Sequence, residues 1–203
     1  MKTFRISCLL TLALLLACVA AAETWKPAPM PAAEETAEAL AAGPPSIRDG
    51  AGVYLLAADG YRLARPSANG FHCLVGRSQE GAFEPQCFDA EGSATLLPAV
   101  LLAAELRQAG HPPEEVERRV AAAWAGGRLR APSRPGVNYM LSAKNRVPVG
   151  PDRVIPYGPH LMFYAPYLTD ADLGGDPSGE TSPLFVINEG KPGGYVIVPV
   201  GEH

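Results

Sequence analysis

The hydrophobic pattern of residues 53–88 predicts short antiparallel β-strands. Two runs of strand-like composition, 53–57 and 61–65, flank the dipeptide Asp59-Gly60, which favours a two-residue hairpin turn. Two further strand-like runs follow after a second turn signal, and apolar residues dominate both of them. We therefore expect an N-terminal meander of three or four antiparallel strands.

After Gly92 the apolar positions follow a helical period instead. Residues 97–106 place their apolar side chains on one broad helical face, and Gly110 ends that pattern. Pro113 opens a second helix, because proline is favoured in a first helical turn, and Gly126 ends it. Since the link between them is short, the two helices should form a hairpin packed on one face of the sheet.

From Gly136 onward the pattern returns to strands. The expected strands are 137–142, 160–165, 184–188 and 195–199. The last two are nearly continuous apolar runs, which favours a buried hairpin near the centre of the sheet. The succession of strands, helices and strands predicts an α+β fold with a mostly antiparallel sheet, in which C-terminal hairpins complete the sheet begun by the meander.

The beginning of the chain resembles an export signal. A positively charged start, an apolar stretch and an alanine triplet predict a signal peptide over residues 1–22. A second interpretation remains open, because the residues that end at Cys18 resemble the lipobox of bacterial lipoproteins, with a signal over 1–17 and a lipid anchor on Cys18. The protein is therefore expected in the periplasm or outside the cell, or attached to the envelope by lipid.

The remainder divides into two parts by composition. Residues 23–46 are rich in Ala, Pro and Glu, which predicts a flexible tether, and residues 47–203 are expected to form a single globular α+β domain. No apolar run after the signal approaches the ~18 residues needed to cross a bilayer, so no transmembrane segment is expected in the mature chain.

Composition and charge exclude several classes of protein. The 203 residues are 47% hydrophobic, which is too apolar for a disordered chain, and the 21 Gly and 21 Pro show no collagen period. The formal net charge is −4, and it becomes more negative once the basic residues of the signal are removed. Nucleic acid is therefore not an expected partner.

The cysteines indicate one disulfide. Cys8 and Cys18 lie in the signal, which leaves Cys73 and Cys87 as an even pair in an oxidising compartment. Both are equally distant from Glu80, in a turn-like stretch. A hairpin centred there would place them opposite each other, at a separation that suits a disulfide.

A semi-polar patch is the first candidate site. If the strands 137–142 and 160–165 pair with matching faces, their alternation places one His and two Met on a common surface. Such a surface suits a small ligand, or a soft metal held by imidazole and thioether, although a core wall with one hydrogen-bonded His is the alternative. The predicted ligand-binding residues are Asn138, Met140, Ser142, His160, Met162 and Tyr164.

A basic segment is the second candidate site. Arg128, Arg130 and Arg134 lie in a Gly- and Pro-rich stretch, where guanidinium groups can bind carboxylate or phosphate. The expected partner is an anionic small molecule, a glycan or an acidic envelope protein. Alternatively, the segment neutralises the acidic residues of 154–203.

No strong catalytic motif is present. The sequence contains no nucleophile elbow, zinc-protease motif, phosphate-binding loop or dinucleotide fingerprint, and neither a cofactor nor a metal ion is predicted. The favoured interpretation is an exported bacterial envelope protein that binds a ligand or partner without catalysis. The alternative is a small envelope hydrolase that uses His160 or His72 as its base.

Overall fold

A computed structural model describes residues 24–150, 153–175 and 184–200. The predicted signal peptide and the alternative cleavage site before Cys18 lie outside these residues. Within the described ranges, eight strands form one large sheet, two strands form a separate hairpin, and five α-helices cover parts of the large sheet. The fold is α+β with a mostly antiparallel sheet, which confirms the prediction.

The elements follow one another along the chain with short connections. The strands are β1 (Gly52–Ala57), β2 (Gly60–Arg65), β3 (His72–Gly76), β4 (Glu84–Phe88), β5 (Val137–Met140), β6 (Arg146–Pro148), β7 (Val154–Pro156), β8 (His160–Tyr164), β9 (Phe185–Ile187) and β10 (Tyr195–Pro199). The helices are α1 (Ala32–Ala41), α2 (Pro45–Arg48), α3 (Ala90–Thr95), α4 (Leu97–Gln108) and α5 (Pro113–Ala125). The order across the large sheet is β2-β1-β3-β4-β5-β8-β10-β9, and β6 pairs with β7.

The N-terminal strands differ from the expected meander, because β3 pairs with β1 in parallel and not with β2. The loop between β2 and β3 is held at the beginning of β1 by two hydrogen bonds. The Asn69 side chain donates to the Ile47 carbonyl at 2.8 Å, and the Ala68 amide donates to the Gly50 carbonyl at 2.7 Å. These contacts bring the chain to the free edge of β1, where β3 begins.

The first hairpin turn lies one residue earlier than predicted. Ala57 pairs with Gly60, so the two loop residues are Ala58 and Asp59. Gly60 has a φ of 129°, a conformation that side chains rarely adopt, and it opens β2 as a ladder residue. Gly60 is therefore the first residue of β2 and not the second residue of the turn.

The C-terminal hairpin lies at one end of the sheet and not near its centre. β10 pairs with β8, and β9 is the edge strand beyond it. Val186 of β9 is buried, but Phe185 and Ile187 are only partly buried, because their face of the strand borders the groove described below. A continuous apolar run can therefore line an open cavity as well as a closed core.

The predicted disulfide is confirmed. The register of β3 and β4 places Cys73 opposite Cys87, with their Cα atoms 4.0 Å apart and the two sulfurs bonded. Closing a loop of this size stabilises the folded chain by about 3 kcal/mol in the chain-entropy model. The bridge lies fully buried on the face of the sheet that α1 covers.

The expected tether is wrong for the described part of residues 23–46. Helix α1 packs against β3 and β4, and the side chains of Ala39 and Ala42 are fully buried there. Glu35, also fully buried, forms an ion pair with Arg77 at 3.1 Å. Alanine loses no side-chain entropy on burial, so an Ala-rich segment can dock closely although it lacks a stripe of large apolar residues.

The residues before α1 are also attached to the fold. The Thr24 hydroxyl donates to the Gly110 carbonyl at 3.0 Å, and the buried Gln108 side chain donates to the Pro27 carbonyl at 2.7 Å. Gln108 is the last residue of α4, and Gly110 lies two residues beyond it. The chain therefore enters the fold beside that helix end.

The predicted helical hairpin is confirmed: α4 packs over β2, and α5 packs against α4. Helix α3, which the sequence pattern did not predict, precedes them and is capped by Asp89, whose Oδ1 accepts the Gly92 amide at 2.8 Å. Across the described ranges, none of the helices has both the length and the apolar character that crossing a membrane requires.

Candidate functional site

A groove of about 1330 Å³ runs between the sheet and the helices α4 and α5. Its floor is formed by side chains from five neighbouring strands, β4 to β9 in the order of the sheet. Apolar and semi-polar residues make up most of that floor: Gln86, Met140, His160, Met162, Ile197 and Phe185.

The strand register aligns these floor residues. Met140 pairs with His160, Met162 pairs with Ile197, and Ile197 pairs in turn with Phe185. Since side chains alternate along each strand, paired positions share one face of the sheet. The groove therefore crosses the strands and does not follow them.

The helices supply the second wall of the groove. Val100 of α4 and Val120 and Trp124 of α5 line it and are only partly buried. Trp124 also approaches the loop before β10, since a Cβ added at Gly193 would lie 3.7 Å from its ring. Most of this wall offers aliphatic or aromatic carbon to whatever occupies the groove.

Charged residues line the β3–β4 end of the groove, and others lie along α5 and the β9–β10 loop, namely Glu114, Glu117, Arg118 and Lys191. We call Tyr61, Arg77, Glu84 and Arg107 the polar cluster, and all four line the groove. The Tyr61 hydroxyl donates to the Val75 carbonyl at 2.6 Å. Burial is the main reason that the pKa of Tyr61 is raised.

Burial affects the ionisation of both Glu84 and Arg107 in the polar cluster. Glu84 accepts a hydrogen bond from the Ser78 amide at 3.2 Å, and burial raises the pKa of its carboxyl group. Burial lowers the pKa of the Arg107 guanidinium, and the charge of Glu84 is the largest effect that raises it. Arg107 nevertheless forms no ion pair or hydrogen bond through its side chain with any residue that the structure describes.

His160 is fixed in one orientation at the floor of the groove. Its Nδ1 lies 3.0 Å from the Gly158 carbonyl, so in the neutral ring Nδ1 carries the proton and Nε2 is an acceptor. The ring also meets Tyr157 edge-on, with centroids 4.7 Å apart. His160 is 3% exposed, and burial lowers the pKa of its imidazole. It is therefore neutral near pH 7.

The second histidine considered as a base, His72, lies outside the groove lining. Its ring packs against Tyr54 with centroids 5.7 Å apart, and burial lowers its pKa. Within the described ranges, neither His72 nor His160 has a hydrogen bond to a Ser, Thr or Cys side chain. A general base works through such contact with the nucleophile that it activates, so the hydrolase alternative has no supporting contact here.

Three of the six predicted ligand-binding residues line the groove, namely Met140, His160 and Met162. The other three share their sheet face or lie close by, but they are buried outside the lining. The Asn138 amide donates to Gln86 Oε1 at 2.9 Å, and the Ser142 hydroxyl accepts the Lys144 amide at 3.2 Å. Ligand binding by these six residues stays a prediction.

Tyr164, the remaining predicted residue, joins β8 to the beginning of α3. Its hydroxyl lies 2.9 Å from Asp89 Oδ1 and 2.8 Å from the Val137 carbonyl. Gly92 and Gly136 allow this approach, because a Cβ at either position would collide with the Tyr164 side chain. Burial and the Asp89 carboxylate raise the pKa of Tyr164, which therefore stays protonated.

The predicted anion-binding arginines lie away from the groove. Arg128, Arg130 and Arg134 are exposed on the segment after α5. Arg134 pairs with Glu91, with Nε and Oε2 3.2 Å apart, so its described partner is the beginning of α3 and not the acidic C-terminal part of the chain. Binding of an anion by this segment also stays a prediction.

Sequence reasoning did not single out Arg107, Glu84 or Trp124. One signal was available for Arg107, which follows Val100 by seven residues and Ala104 by three and so shares their face of α4. An arginine in the apolar stripe of an amphipathic helix indicates a charged side chain that points toward the interior. Nothing in the sequence indicates that Glu84 lies opposite it.

Neither metal chemistry nor known relatives assign a role to this site. The described residues contain no group of three or more His, Cys, Asp or Glu side chains that could hold a metal ion. No protein-family model, no curated protein and no solved structure matches the chain. The groove itself therefore carries the functional argument.

Proposed function

We propose that this protein is a non-catalytic binding module of the bacterial cell envelope and that it holds a largely apolar ligand in the groove. The observation that carries the proposal is the exposure of large apolar side chains toward an open cavity. Trp124, Tyr157 and Phe185 line it and are only partly buried. Apolar side chains that line a concave groove, with a few polar groups among them, are the usual form of a ligand-binding site.

The size of the groove indicates a large ligand. Small-molecule pockets commonly enclose about 300–1,000 Å³, and this groove exceeds that range. Burying each methylene group of a ligand contributes roughly 0.8 kcal/mol, so ten of them offset a substantial part of the cost of association. A long apolar chain is therefore a better match than a small polar metabolite.

Two further observations support the rest of the proposal. The sequence predicts export, and the intrachain disulfide between Cys73 and Cys87 is typical of proteins in an oxidising compartment. The neutral, hydrogen-bonded His160 favours a role as part of a binding surface. Periplasmic or secreted location is accordingly part of what we propose.

Quenching of tryptophan fluorescence tests the proposal directly. The chain has two tryptophans, Trp25 and Trp124, and only Trp124 lines the groove. In a Trp25→Phe variant, an acyl chain that carries bromine atoms should quench the emission of Trp124 in a saturable manner, because bromine quenches at contact distance. The matched Trp124→Phe variant retains Trp25 and should show no saturable quenching.

Two outcomes would overturn the proposal. Equal quenching in the two variants would mean that the chain adheres to the surface, and absence of quenching in both would mean that the groove does not bind it. Mass spectrometry of the recovered ligand tests the hydrolase alternative. Cleavage of an acyl ester that disappears in a His160→Ala variant would make the protein an enzyme.

A further inference from the structure

We infer that the groove selects amphiphiles with an anionic head group and that the guanidinium of Arg107 binds that head group. The inference rests on the proposed function, because it assigns ligand chemistry to the same groove. It divides the groove into an apolar part, which would hold a hydrocarbon chain, and the polar cluster at the β3–β4 end, which would hold the head group.

The state of Arg107 is the main argument. Its side chain lines the groove, half-buried, and it has no hydrogen-bond acceptor or ion-pair partner among the described residues. A guanidinium carries five N–H donors, and a half-buried one without a protein acceptor depends on solvent or a ligand for its hydrogen bonds. A carboxylate or phosphate oxygen in the groove would supply the missing acceptor, and Arg binds such groups in bidentate fashion.

The neighbouring charges leave Arg107 available. Arg77 is paired with Glu35, with Nη1 and Oε1 3.1 Å apart, although its buried Nη2 has no hydrogen-bond partner among the described residues. Glu84 is occupied by the Ser78 amide and does not form an ion pair with Arg107 within the described residues. The Glu84 carboxylate interacts electrostatically with Arg107 and would repel an anion bound there. A variant of Glu84 can therefore test the same site.

The backbone of the floor favours an acyl chain over a peptide. β5, β8 and β10 are interior strands whose amide and carbonyl groups pair with neighbouring strands. A polypeptide in the groove would bring its own amide and carbonyl groups against mostly apolar walls, at a cost of a few kcal/mol for each unpaired group. A hydrocarbon chain has no such groups.

The length of the groove matches a long acyl chain. Its floor crosses from β4 to β9, which is four strand spacings of about 4.8 Å, or roughly 19 Å. One leaflet of acyl chains fills about half of the ~30 Å hydrocarbon core of a bilayer. A chain of that length, about 15 Å, would extend from the β4 end of the floor across about three strand spacings, as far as β10.

Paired ligands that differ only in the head group test the inference. Brominated hexadecanoate and hexadecanol are titrated below their aggregation concentrations, with Trp124 emission in the Trp25→Phe background as the readout. Arg107→Gln should weaken binding of the carboxylate by about 10- to 100-fold, the range expected for a lost hydrogen bond to a charged group. Binding of the alcohol should change by less than about twofold, because its chain contacts remain.

Two control variants sharpen the result. Arg119→Gln removes the same charge from α5, but Arg119 lies outside the groove lining and pairs with Glu115, so carboxylate affinity should not change. Glu84→Gln removes the opposing carboxyl group and should tighten carboxylate binding several-fold. Thermal unfolding of each variant confirms that it is folded before its affinity is interpreted.

The outcomes separate this inference from the proposed function. If both ligands bind and Arg107→Gln weakens neither selectively, the head-group assignment is wrong while the groove function stands. If neither ligand binds and an apolar peptide does, the occupant is a polypeptide and the inference is overturned. Selective weakening of hexadecyl phosphate together with hexadecanoate supports the inference, and their relative affinities identify the preferred anion.

Discussion

The two faces of the same sheet are covered in opposite ways. Helix α1 closes one face, where small side chains such as Ala39, Val53 and Val75 are fully buried around the disulfide. Over the other face, large side chains such as Phe185 of β9 and Trp124 of α5 are only partly buried around the groove. We call these the closed face and the groove face.

The difference shows how residue size decides whether a layer closes. Alanine and valine allow a helix backbone to approach the strands, so no space remains between α1 and the sheet. On the groove face, large side chains keep α5 away from β8, β10 and β9 and leave a cavity between the layers. Met140 and Met162 are flexible and polarisable, which suits a surface that adapts to a ligand.

The largest expected effect concerns the buried ion pair between Glu35 of α1, on the closed face, and Arg77, which also lines the groove. Glu35→Ala leaves the Arg77 guanidinium without its partner, and removing one member of a buried pair commonly costs 3–5 kcal/mol, or about half of an ordinary domain's stability. Denaturant unfolding should show a loss of about that size. A loss below about 1 kcal/mol would mean that the pair is well hydrated and that this part of the closed face is not sealed from water.

A double variant serves as the control for that measurement. Replacing both partners, as Glu35→Leu with Arg77→Met, leaves neither charge buried alone and should recover most of the lost stability. Failure to recover would mean that Glu35 contributes mainly through its packing in α1. The fluorescence assay on the same variant shows whether the groove depends on Arg77.

An intermediate effect is expected from a matched pair of valines. Val75→Ala creates a cavity on the fully buried closed face and should cost about 2 kcal/mol from two lost carbons and the space that they leave. Val120→Ala removes the same atoms from the groove wall, which is already open, and alanine favours the helix. Its cost should stay below about 1 kcal/mol. Equal costs would mean that the two faces are packed alike.

The smallest effect is a pH dependence on the groove face. Burial lowers the pKa of His160, so the unfolded chain binds a proton that the folded chain does not as pH falls below the ordinary value of ~6.5. Stability should therefore decrease from pH 7.5 to pH 5.5, with a slope of at most about 1.4 kcal/mol per pH unit from this group. His160→Gln should flatten the curve by that amount.

His72→Gln is the natural companion of this variant, because burial also lowers the pKa of His72. The two reductions in the pH dependence of stability should add, since the residues lie on separate strands with no shared partner. An unchanged slope in His160→Gln would show that water reaches the imidazole freely and that the floor of the groove is hydrated.

Much of the fold follows from periodicity and turn chemistry. The helical repeat of residues 97–106, Pro113 at the beginning of α5 and the symmetric spacing of Cys73 and Cys87 each predict a feature that the structure contains. Helix α1 could not be predicted in this way. Its buried positions are Glu35 and Ala39, which form no apolar stripe, so its stability comes from tertiary packing that a local pattern does not display.

The site was predictable only where it depends on alternation within strands. That alternation places Met140, His160 and Met162 on one face, and all three line the groove. The polar cluster is different, because Glu84 and Arg107 come from a strand and a helix that meet only in the folded chain. Neither residue belongs to a motif, and their juxtaposition depends on the packing of α4 over the sheet.

The attachment of the first described residues has a consequence for how the molecule would sit at a membrane. Thr24 is hydrogen-bonded to Gly110, three positions beyond Arg107. If Cys18 carries the lipid that the lipobox alternative predicts, Thr24 is six residues from the anchor and can lie at most ~22 Å from it. So short a linker would keep the Arg107 end of the groove close to the lipid head groups. An amphiphile could then move between the bilayer and the groove across a short aqueous gap.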